Sequence, residues 1–328
     1  MSTSTDPAIA TAERDPASEL AAKRFVVAPY DVQVGPVGHL HRERARLADL
    51  GWGQLEARRW GAAVGATVGV EIDGARLSGD LPDEVVAELR AALLAYKAIF
   101  FRDQTDLTAA DHVAFARRFG ELEVHPFIPA NPDHPELVRF EKGADVGGYE
   151  NAWHVDVTWR ECPSMGAVLH AVSVPRTGGD TLFCDMHAVY GGLDAETKAR
   201  IADRRAVHDF MHVFGHQVAD EDKAAMREQY PTVEHPVVRT HPETGLPTLF
   251  VNRIFTSHIV GLEPDESTAL IDRLCRQADY PEYQCRFQWT PDAVAFWDNR
   301  AVQHYAASDY WPDVRIMERA SIIGDRPR

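Results

Sequence analysis

Apolar positions along this chain recur with two different periods. From Asp83 to Tyr96 they follow a helical repeat, with Val85, Val86, Leu89, Leu93 and Leu94 on one stripe, which predicts an amphipathic helix. Ala98–Phe101 follows as a short buried strand. Thr108 is placed to cap a second helix through Phe119, with Asp111 positioned to reach back to the first turn. Upstream, Val64–Ile72 is an apolar, β-favouring run interrupted by Gly65 and Gly69. Downstream the texture becomes one of short runs rich in valine, phenylalanine and tryptophan. They are Leu137–Phe140, Ala152–Trp159, Ala167–Val172, Thr181–Phe183, Pro236–Thr240, Thr248–Val251, Gln284–Trp289, Ala293–Trp297 and Val314–Ile323. Turn residues separate most of them, as in Pro175–Asp180 and His241–Pro247. One late helix, Asp265–Ala278, carries Leu270, Ile271 and Leu274 as its core stripe. Many short strands, few helices and no regular β-α alternation predict a mainly β, α+β domain: a sandwich or barrel with helical cover.

The N-terminal segment has neither period. Its first twenty or so residues are small, polar and charged and read as a flexible tail. Phe25–Trp60 then forms an extension with one predicted helix around His41–Leu50, which makes 1–60 tail and extension and 61–328 the main domain. Gly61, Gly65 and Gly69 are spaced like a helix-packing motif, but without a membrane span or a Walker lysine they read as strand and bend glycines.

Charge and composition narrow the function. The 328 residues include 34 basic and 50 acidic side chains, a formal charge of −16, which argues against a nucleic-acid binder. The longest apolar run, Ala91–Phe101, is short and carries Lys97, so no membrane span is expected. Met1–Lys23 lacks an apolar signal core, and Cys162, Cys184, Cys275 and Cys285 form no C-x-x-C pair. The expectation is a reduced, cytoplasmic enzyme.

Four places read His-x-Asp/Glu: His41/Glu43, His134/Glu136, His154/Asp156 and His241/Glu243. Only His154/Asp156 sits inside an apolar, β-favouring run, NAWHVDVTW. On a strand, residues two apart leave the same face roughly 6.5 Å apart, so imidazole and carboxylate can meet one ion. His304, in AFWDNRAVQHYA, is the best third ligand. Just beyond it, Arg315 and Arg319 share strand parity within VRIMERASII, roughly 13 Å apart along the chain. If that face is interior, two arginines on it call for an anion; if it is solvated, they do not, and the mixed opposite-parity residues Ile316, Glu318, Ala320 and Ile322 leave both readings open. Two histidines and one carboxylate leave coordination positions open, an arrangement that suits non-haem ferrous iron rather than a closed zinc site.

These residues resemble the taurine dioxygenase and TfdA family of Fe(II)- and 2-oxoglutarate-dependent dioxygenases. The resemblance covers about residues 62–327 and is carried by NAWHVDVTW, PRTGGDTLF, EHPVVRTHPETG, LFVN and WDNRAVQHYAASDYWPDVRIMERASIIGDRP. The family pattern is His-x-Asp, a distal histidine, and an arginine after ten intervening residues, met here by His154, Asp156, His304 and Arg315. The resemblance implies a double-stranded β-helix core (jelly-roll, cupin-like) with flanking helices. It implies Fe(II), 2-oxoglutarate and O2 as the reacting partners, with Arg315 and Thr181 on the distal carboxylate of 2-oxoglutarate. For the substrate it implies an anion held by Arg319, a pocket histidine at His125, Val157 after the aspartate ligand, and aromatic walls at Phe214 and Phe255. Ile128 replaces a pocket tyrosine of taurine dioxygenase, and Glu150 (with Asn151 beside it) replaces an asparagine. Taurine is therefore not assumed.

The implied activity is hydroxylation of a C–H bond in a small anionic organic substrate, an organosulfonate being the first expectation, with release of succinate and CO2. An alkyl sulfate ester, an aryloxy or alkyl carboxylate, or an amino-acid-derived substrate fits the same chemistry, and a carrier-bound amino acid is a further alternative. Asp156 argues against halogenation, which needs that carboxylate position vacated. A non-catalytic jelly-roll metal protein is the alternative of another class. No nucleic-acid or membrane partner is expected, and self-association into a homo-oligomer is.

Overall fold

The computed structural model describes residues 26–27, 30–31, 39–48, 50, 62–126, 128–146 and 151–328. Two antiparallel sheets dominate it. The larger contains β1 (Val70–Glu71), β2 (Ala98–Phe101), β3 (Leu137–Lys142), β4 (Ser164–Ser173), β7 (Val294–Asp298) and β9 (Arg315–Ile323). Their order is β1-β2-β7-β4-β9-β3, with only the short β1–β2 pair parallel. The smaller sheet places β5 (Thr181–Asp185) between β6 (Gln284–Phe287) and β8 (Val302–Ala306). A third sheet joins Thr256–Ile259, Arg205–His208 and Val233–Pro236. The molecule is thus mixed α/β with several antiparallel sheets.

Strand alternation decides what packs where. Ala167, Leu169 and Met317 from the large sheet meet Phe183, Phe287 and Val302 of the small one in one apolar cluster. Phe100 stacks on Phe287 with ring centroids 4.1 Å apart. The alternate residues Ile99, Val168, Phe296, Ala320 and Ile322 face the opposite way, onto two helices. These are α1 (Asp83–Tyr96) and α2 (Ala109–Arg117), whose buried stripes include Leu89, Leu93 and Phe115. The parity of the arginine strand is thereby settled. Arg315, Met317 and Arg319 of β9 look between the sheets, and Ala320 and Ile322 pack on the helix side.

Local caps explain the helix boundaries. The Thr108 hydroxyl accepts from Asp111 N at 3.1 Å and its own hydrogen goes to the Asp111 carboxylate at 2.5 Å, as the sequence pattern predicts. The late helix α3 runs Pro264–Cys275 and ends in a 3-10 turn over Arg276–Asp279. The helix at Leu40–Ala48 buries Leu47 in the α1–α2 cluster, and its Glu43 reaches Lys97 at 3.4 Å. Short helices at Met186–Gly192, Ala195–Ile201, Phe210–Phe214 and Lys223–Gln229 have too few turns to show a periodic stripe. The aspartates Asp185, Asp194 and Asp209 cap the first three, and they were the available signal. Gly61, Glu150 and the tail lie outside the described residues. No helix among the described residues is long and apolar enough to cross a membrane.

Candidate active site

His304 lies on β8, and a pair of reciprocal main-chain hydrogen bonds brings His154 beside it: His154 N to His304 O at 3.1 Å and His304 N to His154 O at 2.9 Å. Their rings sit 4.2 Å apart. Asp156 completes the group, with donor atoms of all three residues within 4.8 Å of one another. The route to this convergence corrects the sequence reading. NAWHVDVTW is not a strand: His154 makes an isolated bridge, and a turn begins at Asp156 with Val157 at φ +47°. The chain bends round the site instead of alternating past it.

The charge states suit metal ligation. The Ala152 carbonyl only accepts, so the 2.8 Å contact fixes the proton on His154 Nδ1 and leaves Nε2 free to ligate. Burial, followed by the neighbouring His154 ring, pushes His304 down to about 3, keeping that imidazole neutral. Burial pushes the Asp156 carboxyl up, but Arg319, His304 and His154 outweigh it and hold the group well below the usual carboxylate range. Asp156 Oδ1 accepts from Arg319 Nη1 at 2.9 Å, whereas Oδ2 is buried with no hydrogen-bond partner among the described residues and lies 3.8 Å from His304 Nε2. Two imidazoles and a carboxylate with an unspent buried oxygen fit a divalent cation.

From these donors a cavity of about 80 Å³ extends under β9, lined also by Arg315, Thr181, Lys142, Tyr310 and Arg319. Arg315 is 8% exposed and donates from Nε to Gly179 O at 3.2 Å. Gly179 has φ +72°, and a Cβ there would meet Arg315 Cδ and Tyr310 Cδ1 at 3.2 Å. The GGDT motif therefore needs glycine for both conformation and close approach. Thr181 Oγ1 accepts from Trp289 Nε1 at 3.0 Å, which leaves the hydroxyl hydrogen to donate into the cavity. Sequence reasoning missed Trp289 and Lys142.

On the other side, Arg319 stacks over Phe140 at 4.9 Å and its Nε is a buried donor with no partner among the described residues. His125 Nδ1 accepts from Ile128 N at 3.2 Å, so Nε2 carries the proton. Burial, then Arg319 and Arg160, push His125 down to about 4. Ile128 thus enters through its main chain. Val157 and Phe255 share an apolar cluster with Trp159 and Phe210, against which Phe214 packs. Asn151 is exposed, and Glu150 lies outside the described residues. A pair that the sequence did not reveal, Arg160 Nη2 with Glu123 Oε1 at 2.6 Å, is also present, and burial pushes the Glu123 carboxyl up against the pull of Arg160 and Arg319.

Comparison with known proteins agrees with this geometry. A family model for the taurine catabolism dioxygenase TauD, TfdA family, matches residues 56–321. An α-ketoglutarate-dependent sulfate ester dioxygenase of Pseudomonas putida is 36% identical over 273 residues, 80% of this chain and 89% of that protein. An (S)-phenoxypropionate/α-ketoglutarate dioxygenase of Sphingobium herbicidovorans is 35% identical over 281 residues, 80% of this chain and 94% of that protein. A crystal structure of a putative α-ketoglutarate-dependent taurine dioxygenase from Burkholderia xenovorans superposes with TM-score 0.71 at 35% identity, covering 81% of this chain and 93% of that one. Relatives of nearly equal identity thus carry different substrate names.

Proposed function

The chain belongs to the TauD/TfdA family of α-ketoglutarate-dependent dioxygenases, and from that premise we propose that it hydroxylates a C–H bond of a small organic anion. His154, Asp156 and His304 would hold Fe(II) in one catalytic unit spanning 61–328, with the two facing sheets as its double-stranded β-helix. The bound metal, with 2-oxoglutarate, supplies the activation of O2. One oxygen atom enters the product as hydroxyl and the other enters succinate, with loss of CO2. The chain's own residues do the placing. Arg315 offers a planar fork and Thr181 a hydroxyl to the distal carboxylate of 2-oxoglutarate. Arg319 clamps Asp156 through Nη1 and keeps Nε for an anionic oxygen of the substrate, with the His125 Nε2–H as a second donor. The apolar cluster of Val157, Phe214 and Phe255 excludes water from the organic part of the substrate.

The supporting observation is the convergence of the three donors beside a cavity that also holds Arg315 and Thr181. Two neutral or cationic donors, Arg319 and His125, favour a sulfate ester or sulfonate, whose several oxygens can use both. Where such a group sits on the hydroxylated carbon, the product collapses to a carbonyl compound. Succinate release should be measured with Fe(II), 2-oxoglutarate and oxygen across alkyl sulfates, sulfonates, aryloxy acids and amino acids. One class should stimulate it, and Asp156→Ala should lower it more than about 100-fold, since even outer-shell partners of a metal are worth 10–100-fold. Equal consumption of 2-oxoglutarate by the wild type and Asp156→Ala would overturn the assignment.

A further inference from the structure

The turn that carries Asp156 is strained. Val157 sits at φ +47°, and of the described non-glycine residues at positive φ (Lys97, Asp103, Val157 and Asp292) it alone is β-branched. Such a residue stays in that region only where its surroundings fix it. Arg160 N donates to Val157 O at 3.0 Å, but Val157 is the first residue of the turn so closed, and the bond does not set its dihedrals. The next side chain is better placed. Thr158 is fully buried, and its hydroxyl meets two side chains from distant parts of the chain. Asn252 Nδ2 donates to Thr158 Oγ1 at 3.3 Å, and His208 Nδ1 lies 2.9 Å from the same oxygen. The other end of the Asn252 amide fixes the sense of the first bond. Its Oδ1 accepts from the main-chain N–H groups of Ile254 and Phe255 at 3.1 and 2.9 Å, so Nδ2 must face the threonine. Having accepted from Asn252, the hydroxyl keeps its hydrogen for His208 Nδ1. His208 ends the strand Arg205–His208, and burial pushes its imidazole well below the ordinary histidine range, so that the ring is neutral and can accept. With His235 on the carbonyls of Thr158 and Arg160, both the side chain and the main chain of Thr158 are tied to a sheet that supplies no metal ligand.

We propose that Thr158 is a positioning residue for Asp156: its hydroxyl, gripped by Asn252 and His208, holds the left-handed turn at Val157 and so aims the carboxylate at the ion. The inference rests on reading His154, Asp156 and His304 as the metal centre. It gives the asparagine of LFVN a task, because Asn252 also fixes the main chain of Phe255, whose ring shares the apolar cluster with Val157. Without the hydroxyl, nothing on the side chain of residue 158 opposes the return of Val157 to its ordinary region of φ. Rotation there turns the Asp156 carboxylate relative to the two imidazoles, whose own spacing is set by their main-chain bonds.

The test measures metal binding without turnover, by calorimetric titration of Mn(II) into the metal-free protein at a temperature where every variant is folded, with thermal melting alongside. Thr158→Val keeps the shape of the side chain and removes the hydroxyl. It should weaken Mn(II) binding about 5–20-fold, towards the lower part of the range for outer-shell partners of a metal, because it acts through the backbone. Thr158→Ser keeps the hydroxyl and should retain most of the affinity. Val85→Ala, in the α1–α2 cluster, separates positioning from stability: it should lower the melting temperature and leave Mn(II) affinity unchanged. Thr158→Ala repeats the measurement should the valine variant fold poorly. Unchanged affinity in the variants without the hydroxyl, a serine variant as weak as they are, or an equal loss in Val85→Ala overturns the role of Thr158. Wild-type protein that binds no Mn(II) would instead overturn the reading of the metal centre.

Discussion

At one end of the cavity His304 stands on β8 and Thr181 opens the strand paired with it, β5, while Arg315 stands on β9 of the facing sheet; Trp289 bonds the Thr181 side chain and Gly179 the Arg315 side chain. Around Arg319, His125 and Ile128 stand on connections, and Arg160 and Glu123 complete the surroundings from separate segments. Both ends meet a cation, Arg315 or Arg319, on the same strand face. The difference lies in what surrounds each. An end whose arginine, threonine and histidine stand on strands suits one constant ligand, whereas an end built on loops can change without disturbing the sheet. On the proposed assignment of the two ends, that division would let relatives share a cosubstrate and differ in the substrate they are named for.

The largest separation of the two ends should come from Arg315→Lys. A point charge replaces the fork, and KM for 2-oxoglutarate should rise by about 10–100-fold while KM for the organic substrate stays within a few-fold. Steady-state kinetics with each substrate varied in turn decides it, and a matched rise in both would merge the two ends. Arg319→Ala should act in the opposite sense, raising KM for the anionic substrate on the order of 10–30-fold. It should also leave 2-oxoglutarate consumption measurable but uncoupled from product. A substrate bound equally well by both proteins would remove the anion contact from the site.

A smaller effect should appear on acidification, and it should belong to the substrate end. His235 Nε2 donates to the carbonyls of Thr158 and Arg160 at 2.9 and 3.0 Å, pinning the segment after the metal-site turn. Burial pushes this imidazole down to about 4, the carbonyl bonds opposing it only in part. Its folded value lies below its unfolded one near 6.5, so the unfolded chain binds the extra proton first. Stability is therefore complete above about 6.5 and declines as the pH falls towards 4. Between pH 7 and pH 5 the wild type should lose about 1–2 kcal/mol more than His235→Gln. Urea denaturation at the two pH values measures the difference, and parallel losses would place the titration elsewhere.

Much of the cosubstrate end was legible in the sequence because its parts are local. The histidine ligand, the arginine eleven residues on and the glycine pair each sit within one strand or turn. Strand parity also put Arg315 and Arg319 on one face, although the mixed character of Ile316, Glu318, Ala320 and Ile322 hid which side was interior. The structure resolves this through Glu318, which bonds Arg139 at 3.1 Å and so occupies the helix-facing side as a paired charge. The bend at Val157 was not legible, since a β-branched residue at positive φ contradicts its own propensity and is held there by tertiary packing. Lys142 and the Glu123–Arg160 pair were equally hidden. Their partners come from distant segments, and only sheet register or chain folding brings them together.

The reciprocal amide bonds between His154 and His304 have a thermodynamic consequence for loading. They set the spacing of two imidazoles through the backbone, so the chelate ring is closed by folding and not by the incoming ion. Arg319 already holds the buried Asp156 carboxylate, so capture of a cation orders little of the chain, and most of the entropy of assembling a tridentate ligand is spent before the ion arrives. Ions of similar radius should accordingly exchange at this centre without unfolding the sheets, and discrimination among them falls to coordination chemistry alone.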